Sequence, residues 1–320
     1  MRGVTYREAT LDDAELATDL MTATYPALGH DPVITRLRWQ NLREGFAAGR
    51  FIAELHRSPV AFLAWLHGPW DEVPDRHCEV EVWLDRAEMD RTVLRSMWSW
   101  LEPHALAEGS QVLLAYAAED ETEALEVLAD LGYKKERVER VWELDLRVHG
   151  SRLIEEAAAA SAAMSALEVR LITLADWDDP DRESRLHQLD ARTRQDVPHS
   201  LTIVPETLSD FRKRMRSPDR PYDRFWVALR GSELVAMSYL RFPPVRGPVW
   251  TGFTCTHPDH RGRGIARAVK LQTLAQAARL GVPTVQTDND SENAPMLRIN
   301  EKLGYRPRPG FVEHHKRVTN

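Results

Sequence analysis

The alternation of apolar and polar positions predicts a strand at VTYREAT (4 to 10), then a helix whose start is marked by Thr10 as cap and by Asp12 and Asp13 as first-turn acids. Further strands are predicted at RFIAEL (50 to 55), VAFLAWL (60 to 66) and EVEVWL (79 to 84). A helix over about 88 to 107, a strand VLLAYA (112 to 117), a helix over 121 to 130 closing at Leu131-Gly132-Tyr133, and a strand near 137 to 146 complete the first half. The same order then returns. Strand EVRLITL (168 to 174) leads to a helical stretch from about 182, and strands follow at FWVAL (225 to 229), LVAMSYL (234 to 240) and VWTGFTCT (249 to 256). A helix over 264 to 280, a strand TVQTD (284 to 288) and a helix from about 293 end at Leu303-Gly304-Tyr305.

"LADLGYKK" and "NEKLGYRP" hold the same place in the two halves, so the chain reads as an internal duplication with a period near 172 residues, Gly132 against Gly304. Between them RLIEEAAAASAAMSAL (152 to 167) is rich in alanine and predicts a helical connector, not a floppy tether. The expected layout is a first domain over 1–148, a connector over 149–166 and a second domain over 167–320, each domain a mixed α/β unit.

Composition narrows the function classes. With 42 Lys+Arg against 49 Asp+Glu, a net charge of -7 and no basic run, the chain offers nothing that suits a phosphate backbone, so nucleic acid is not an expected partner. The start MRGVTYREATLDD lacks an apolar signal core, and the longest strongly apolar run, Val60 to Leu66, is too short for a bilayer; a cytoplasmic protein without a membrane partner is expected. Cys78 and Cys255 lie far apart in apolar or β-branched settings, where thiols behave as small buried hydrophobes.

Against that acidic background, "HPDHRGRGIARAVK" (257 to 270) follows a predicted strand and opens a predicted helix with three arginines and two glycines in seven residues. A helix start offers unpaired amides and about half a positive charge. Gly262 and Gly264 let the backbone approach a phosphate, while Arg261 and Arg263 add donors that a diphosphate accepts in pairs. A solvated basic turn is the competing reading of the loop alone. It is not a Walker loop, because no Gly-Lys-Ser/Thr follows, nor a Rossmann fingerprint, because the third glycine is missing.

Arg261-Gly262-Arg263-Gly264-Ile265-Ala266 resembles the Arg/Gln-x-x-Gly-x-Gly/Ala signature of the GNAT superfamily of N-acetyltransferases. "TDNDSENAPMLRINEKLGY" (287 to 305) is similar to that superfamily's next segment, in the same order and spacing. The resemblance is carried by residues 225 to 310 and implies two tandem GNAT-like acetyltransferase folds, with acetyl-CoA as co-substrate. It implies that the loop Arg261 to Ala266 holds the pyrophosphate and that Thr254, Cys255 and Thr256 pair their backbone with the pantetheine arm. It also implies a splay between that strand and the next to admit the acyl group, and places Asn289 or Asn293 toward the CoA arm, a helix cap being the other reading of Asn293.

The chain departs from the family pattern in three places. Asn300 stands where many members have a tyrosine that protonates the departing thiolate, and the strand 249 to 256 carries no carboxylate or histidine for a base. The remaining catalytic candidates are Asp196 and His199 in "RQDVPHS" (194 to 200), whose bland alternative is a solvated loop. The first half reads "WLDRAEMDRTVLRSMW" (83 to 98) where the second has its glycines, and Asp85, Glu88 and Asp90 there would repel phosphate. That half is expected to be a degenerate copy without a cofactor loop. No metal is expected, since His257 and His260 have no third ligand in sequence. The expected activity is transfer of an acetyl group from acetyl-CoA to a primary amine of a small molecule (an antibiotic, amino sugar or polyamine). The alternatives are a non-catalytic acyl-CoA-binding module, or acetylation of protein lysines or N-termini.

Overall fold

A computed structural model describes residues 3–85, 88 and 90–318. The first half runs β1 (Val4–Glu8), α1 (Ala14–Thr24), α2 (Pro32–Gln40), β2 (Ala47–Leu55), β3 (Ser58–His67), β4 (His77–Leu84), α3 (Arg91–Ala107), β5 (Val112–Ala118), α4 (Thr122–Asp130) and β6 (Lys134–Asp145). After α5 (Leu146–Ser165) come β7 (Val169–Thr173), α6 (Arg182–Arg194), α7 (Leu208–Met215), β8 (Phe225–Arg230), β9 (Glu233–Arg241), β10 (Val249–Thr256), α8 (Ile265–Arg279), β11 (Thr284–Asp290), α9 (Ala294–Leu303) and β12 (Arg306–Arg317). Three elements go beyond the sequence-based reading: α2, α7 and β12. The first two are short and begin at side-chain caps, Asp31 accepting from Val33 and Ile34 and Thr207 accepting from Asp210. β12 is written RPRPGFVEHHKR, with two prolines and a glycine that ordinarily argue against a strand.

All the strands join one mixed sheet in the order β1-β2-β3-β4-β5-β12-β6-β11-β10-β9-β8-β7. Read inward from either edge, this order gives the first five strands of one half and then the sixth strand of the other. β12 pairs with β5, β6 pairs with β11, and the two meet antiparallel at the middle of the sheet. Each half therefore donates its last strand to its neighbour. The insertion requires close approach at Gly310, where a Cβ would lie 2.1 Å from the carbonyl oxygen of Glu139 on β6.

Helices cover both faces. In the first half Met97, Trp98 and Leu101 of α3 pack with Val127 and Leu128 of α4 on Ala61, Leu63 and Leu113, while Ala17, Leu20 and Met21 of α1 pack on Ile52 and Phe62, the alternate strand positions. In the second half α6 and α7 lay Leu186, Leu189, Phe211 and Met215 on one face, and α8 lies on the other. In the sequence the apolar positions Ala268, Leu271, Leu274, Ala275 and Ala278 of α8 fall on one stripe. Burial instead extends around it to Val269, Lys270, Gln272, Thr273 and Ala277, because α5 lays Leu146, Leu153 and Ala157 over its outer side. No helix among the described residues is long and apolar enough to cross a membrane.

Candidate active site

Strands β10 and β11 run parallel and pair at Val249–Val285 and Trp250–Gln286, after which they part. On its other side β10 stays paired with β9, but with a bulge between Thr251 and Phe253. Gly252 makes the bulge possible, since a Cβ there would sit 1.9 Å from the Tyr239 ring. The parting opens a cavity of about 1000 Å³ that reaches from the start of α8 to residues of the first half. Its roof is the segment between α6 and α7, tied across to the first half by Thr202 N donating to Asp75 Oδ2 at 2.9 Å and by Arg43 donating to the Pro205 carbonyl at 2.8 Å.

At one end of this cavity the chain turns through Gly262 and Gly264, both left-handed with φ +75 and +77. Glycine suits that backbone. Gly264 is the N-cap of α8 and, having no side chain, leaves the first amides of the helix without a side-chain acceptor. A Cβ at either glycine would meet nothing within 4 Å, so the space above the turn is open. The corresponding helix of the first half is closed: Asp90 Oδ1 accepts from Thr92 N at 2.8 Å and from Val93 N at 3.1 Å. A carboxylate thus occupies the place an anionic ligand would take. Where β4 and β5 diverge, Trp83 and Phe311 both pack edge-on against Tyr25, at centroid distances of 5.5 and 5.4 Å. Arg86, Ala87 and Met89 of the first-half loop lie outside the described residues.

The candidate residues fall into distinct places. Arg261, Gly262, Gly264, Ile265 and Ala266 line the cavity, and Thr254, Cys255 and Thr256 line it along the open edge of β10. Arg263 does not; with Arg230 it lines a second, smaller cavity of about 430 Å³. Thr254 Oγ1 is shared with Ser238 Oγ at 2.8 Å, and burial pushes both Cys78 and Cys255 thiols up to about 12, so neither is a nucleophile near neutral pH. Asn289 and Asn293 both line the cavity, and Asn293 also caps α9 by accepting from Met296 N at 3.4 Å.

Neither catalytic candidate has the surroundings of a base. Asp196 Oδ2 accepts from Arg261 Nη2 at 2.5 Å, and this guanidinium holds its carboxyl below the ordinary range, so Asp196 serves to anchor Arg261. Exposed His199 donates from Nδ1 to the Val197 carbonyl at 2.9 Å. The expectation that His257 and His260 lack a third ligand is also corrected. The β8–β9 hairpin brings Glu233 beside them, all three ligand atoms lying within 4.8 Å of one another. His260 Nε2 and Glu233 Oε2 are 3.2 Å apart, and a hydrogen bond accounts for that contact.

Two further groups of cavity residues escaped the sequence reading. Lys270, fully buried on α8, donates from Nζ to Asn300 Oδ1 at 2.7 Å; Asn300 Nδ2 in turn donates to Asn289 Oδ1 at 2.6 Å. Burial lowers the Lys270 amine to about 7. Across the cavity stand Glu139 of β6 and Glu313 of β12, with Tyr116 of β5 opposite Glu313 on its other side. Tyr116 OH donates to Glu313 Oε2 at 3.2 Å, and Ser200 Oγ and His315 Nε2 both reach Glu313 Oε1, holding that carboxyl below its ordinary value. Glu139 carries no such partners, and burial beside Asp288, Glu313 and Asp290 pushes it up to about 7. The spacing of residues in sequence could not have revealed it, because the strand that brings Glu139 belongs to the other half.

Residues 184–305 match the profile of the acetyltransferase (GNAT) family. No curated protein matches the chain. Solved structures similar over its whole length include a tandem GNAT protein from the clavulanic acid biosynthesis pathway, with a TM-score of 0.76 at 16% identity and 99% of each chain covered. A GCN5-related N-acetyltransferase from Sphaerobacter thermophilus gives a TM-score of 0.68 at 17% identity, covering 99% of this chain and 96% of that one. An acetyltransferase of the GNAT family from Colwellia psychrerythraea gives 0.60 at 12% identity, with 98% of each covered. At these identities the likeness is one of fold. Residues 184–305 thus carry a domain of the acetyltransferase (GNAT) family, and the chain as a whole has the fold of solved tandem GNAT proteins.

Proposed function

We propose that the second half binds acetyl-CoA and transfers its acetyl group to a primary amine of a small molecule by direct attack. The observation that carries this reading is the uncapped start of α8 beneath the Gly262 and Gly264 turn, opening onto the cavity where β10 and β11 part. The open helix amides with Arg261 would hold the pyrophosphate, and the unpaired edge of β10 from Thr254 to Thr256 would pair with the pantetheine amides. The thioester would then lie between the strands, near the Lys270, Asn300 and Asn289 chain and facing the carboxylates of Glu139 and Glu313. A thiolate is a tolerable leaving group, so orientation in a closed cavity supplies much of the rate.

Titration calorimetry with acetyl-CoA tests the reading, with one site per chain expected. A ligand at about 100 times its dissociation constant adds roughly 2.7 kcal/mol to the folded state, so the melting temperature should rise with it. Release of free CoA thiol, with a mass-detected acetylated product from a panel of amino sugars and polyamines, tests transfer itself. No binding at millimolar acetyl-CoA overturns the proposal.

A further inference from the structure

We infer that Glu139, a residue of the first half, is the general base that deprotonates the acceptor amine at the second half's cavity; the inference rests on the acetyl-transfer reading above. The strand exchange puts it there. β6 pairs with β11 in a register that sets Glu139 opposite Asp290, one position beyond Asn289, on the stretch where β11 has left β10. Its carboxylate lines the cavity, is half-buried, and has no hydrogen-bond partner among the described residues. Glu313, the other carboxylate of that wall, has its oxygens occupied by Tyr116, Ser200 and His315. It is a fixed anion, suited to hold an ammonium group rather than to take its proton.

The charged groups facing Glu139 are Asp288 and Asp290 of β11, Glu313 of β12, Arg137 beside it on β6 and, further along the sheet, Glu79 of β4. Tyr116 of β5 faces it too, its hydroxyl raised partly by that charge. Arg137 gives little relief, because its Nε donates to Asp290 Oδ2 at 2.8 Å. The acid-rich wall and partial burial hold Glu139 near 7, where a base is half deprotonated at neutral pH.

The proton balance closes without a further reactant. The acceptor enters as an ammonium ion and gives one proton to the Glu139 carboxylate. Its freed lone pair forms the C–N bond at the thioester carbonyl, and the C–S bond breaks with its electron pair going to sulfur. The second proton, lost from nitrogen as the amide forms, ends on the thiolate. Glu139 returns its proton to solvent at the open mouth of the cavity.

Glu139→Gln tests the assignment, with Glu139→Asp as the conservative variant. In full-length protein, acetyl-CoA affinity by calorimetry should stay within about twofold. With spermidine and glucosamine as probes, kcat should fall about 100-fold or more, and the fall of kcat/KM below pH 7 expected of the parent should vanish. Glu139→Asp should restore part of the rate and the acid limb. If neither amine is a substrate, the slow hydrolysis of acetyl-CoA, in which water takes the place of the amine, gives the same two readouts. An unchanged acid limb with kcat within twofold overturns the inference while leaving acetyl transfer intact. A parent that binds acetyl-CoA but neither transfers nor hydrolyses overturns both, and loss of CoA binding in Glu139→Gln gives the residue a structural role instead.

Discussion

Lys270 shows what the site costs the fold at a single position. Its amine titrates at about 10.5 in an unfolded chain and at about 7 in the folded one, because burial disfavours the charged form. Above pH 10.5 the group is neutral in both states and costs nothing; as pH falls toward 7 the unfolded chain takes up a proton that the folded chain resists, and stability is lost. Lys270→Met should therefore gain on the parent progressively as pH is lowered from 10 to 7, by an amount on the order of a few kcal/mol, read from urea midpoints. Asn300→Ala should act the other way: it strips the Lys270 amine of its acceptor, at a cost of about 1–3 kcal/mol. It should slow turnover far less than the ~100-fold expected for removing a general acid, since an amide gives up no proton. At this scale the sequence was legible where backbone geometry is written in residue type, as at Gly262 and Gly264. It was silent for Lys270 and Glu139, whose roles depend on neighbours that only the folded sheet supplies.

Between the two copies, the helix starts of α3 and α8 differ by one residue choice with opposite consequences. Asp90 satisfies the first amides of α3, whereas Gly264 leaves those of α8 free. Asp90→Ala should lower stability by about 1 kcal/mol, by thermal melting, and leave acetyl-CoA affinity within about twofold. Arg261→Glu combined with Gly264→Tyr should abolish measurable binding, because it removes charged donors and fills the turn. Calorimetric stoichiometry reads both, and a value near two per chain would show that the first half also binds. Most elements followed from apolar periodicity, VWTGFTCT (249 to 256) ending where β10 ends. β12 did not, because two prolines and a glycine hide it, and the glycine, Gly310, is what its crowded slot demands. Gly310→Val places side-chain carbon against the Glu139 carbonyl, 2.1 Å from a Cβ, and should cost at least ~2 kcal/mol, checked by denaturant unfolding.

For the molecule as a whole, the repeated strand order and a helix over the alanine run, now α5, could be read from the sequence, but the exchange of last strands could not. Two copies with the same strand pattern would satisfy the same periodicity whether each kept its own sixth strand or traded it. The exchange makes the sheet continuous and the halves mutually dependent. A chain ended at Tyr305 would bare the facing edges of β5 and β6, so protease sensitivity should rise in both halves and not in the second alone, as limited proteolysis would show. Segments 1–148 and 149–320 made together should assemble, and each made alone should self-associate through its open edge, which gel filtration distinguishes. The same trade sets a clock on synthesis. When β5 leaves the ribosome at Ala118, the strand it must pair with begins at Arg306, so the first half waits through nearly the whole of the second before its sheet can close. During that interval its fifth strand is an open template in a crowded cell. The burden of keeping that edge from wrong partners falls on holding factors that shield the unfinished chain, or on α3 and α4, which can fold against β3 to β5 without waiting.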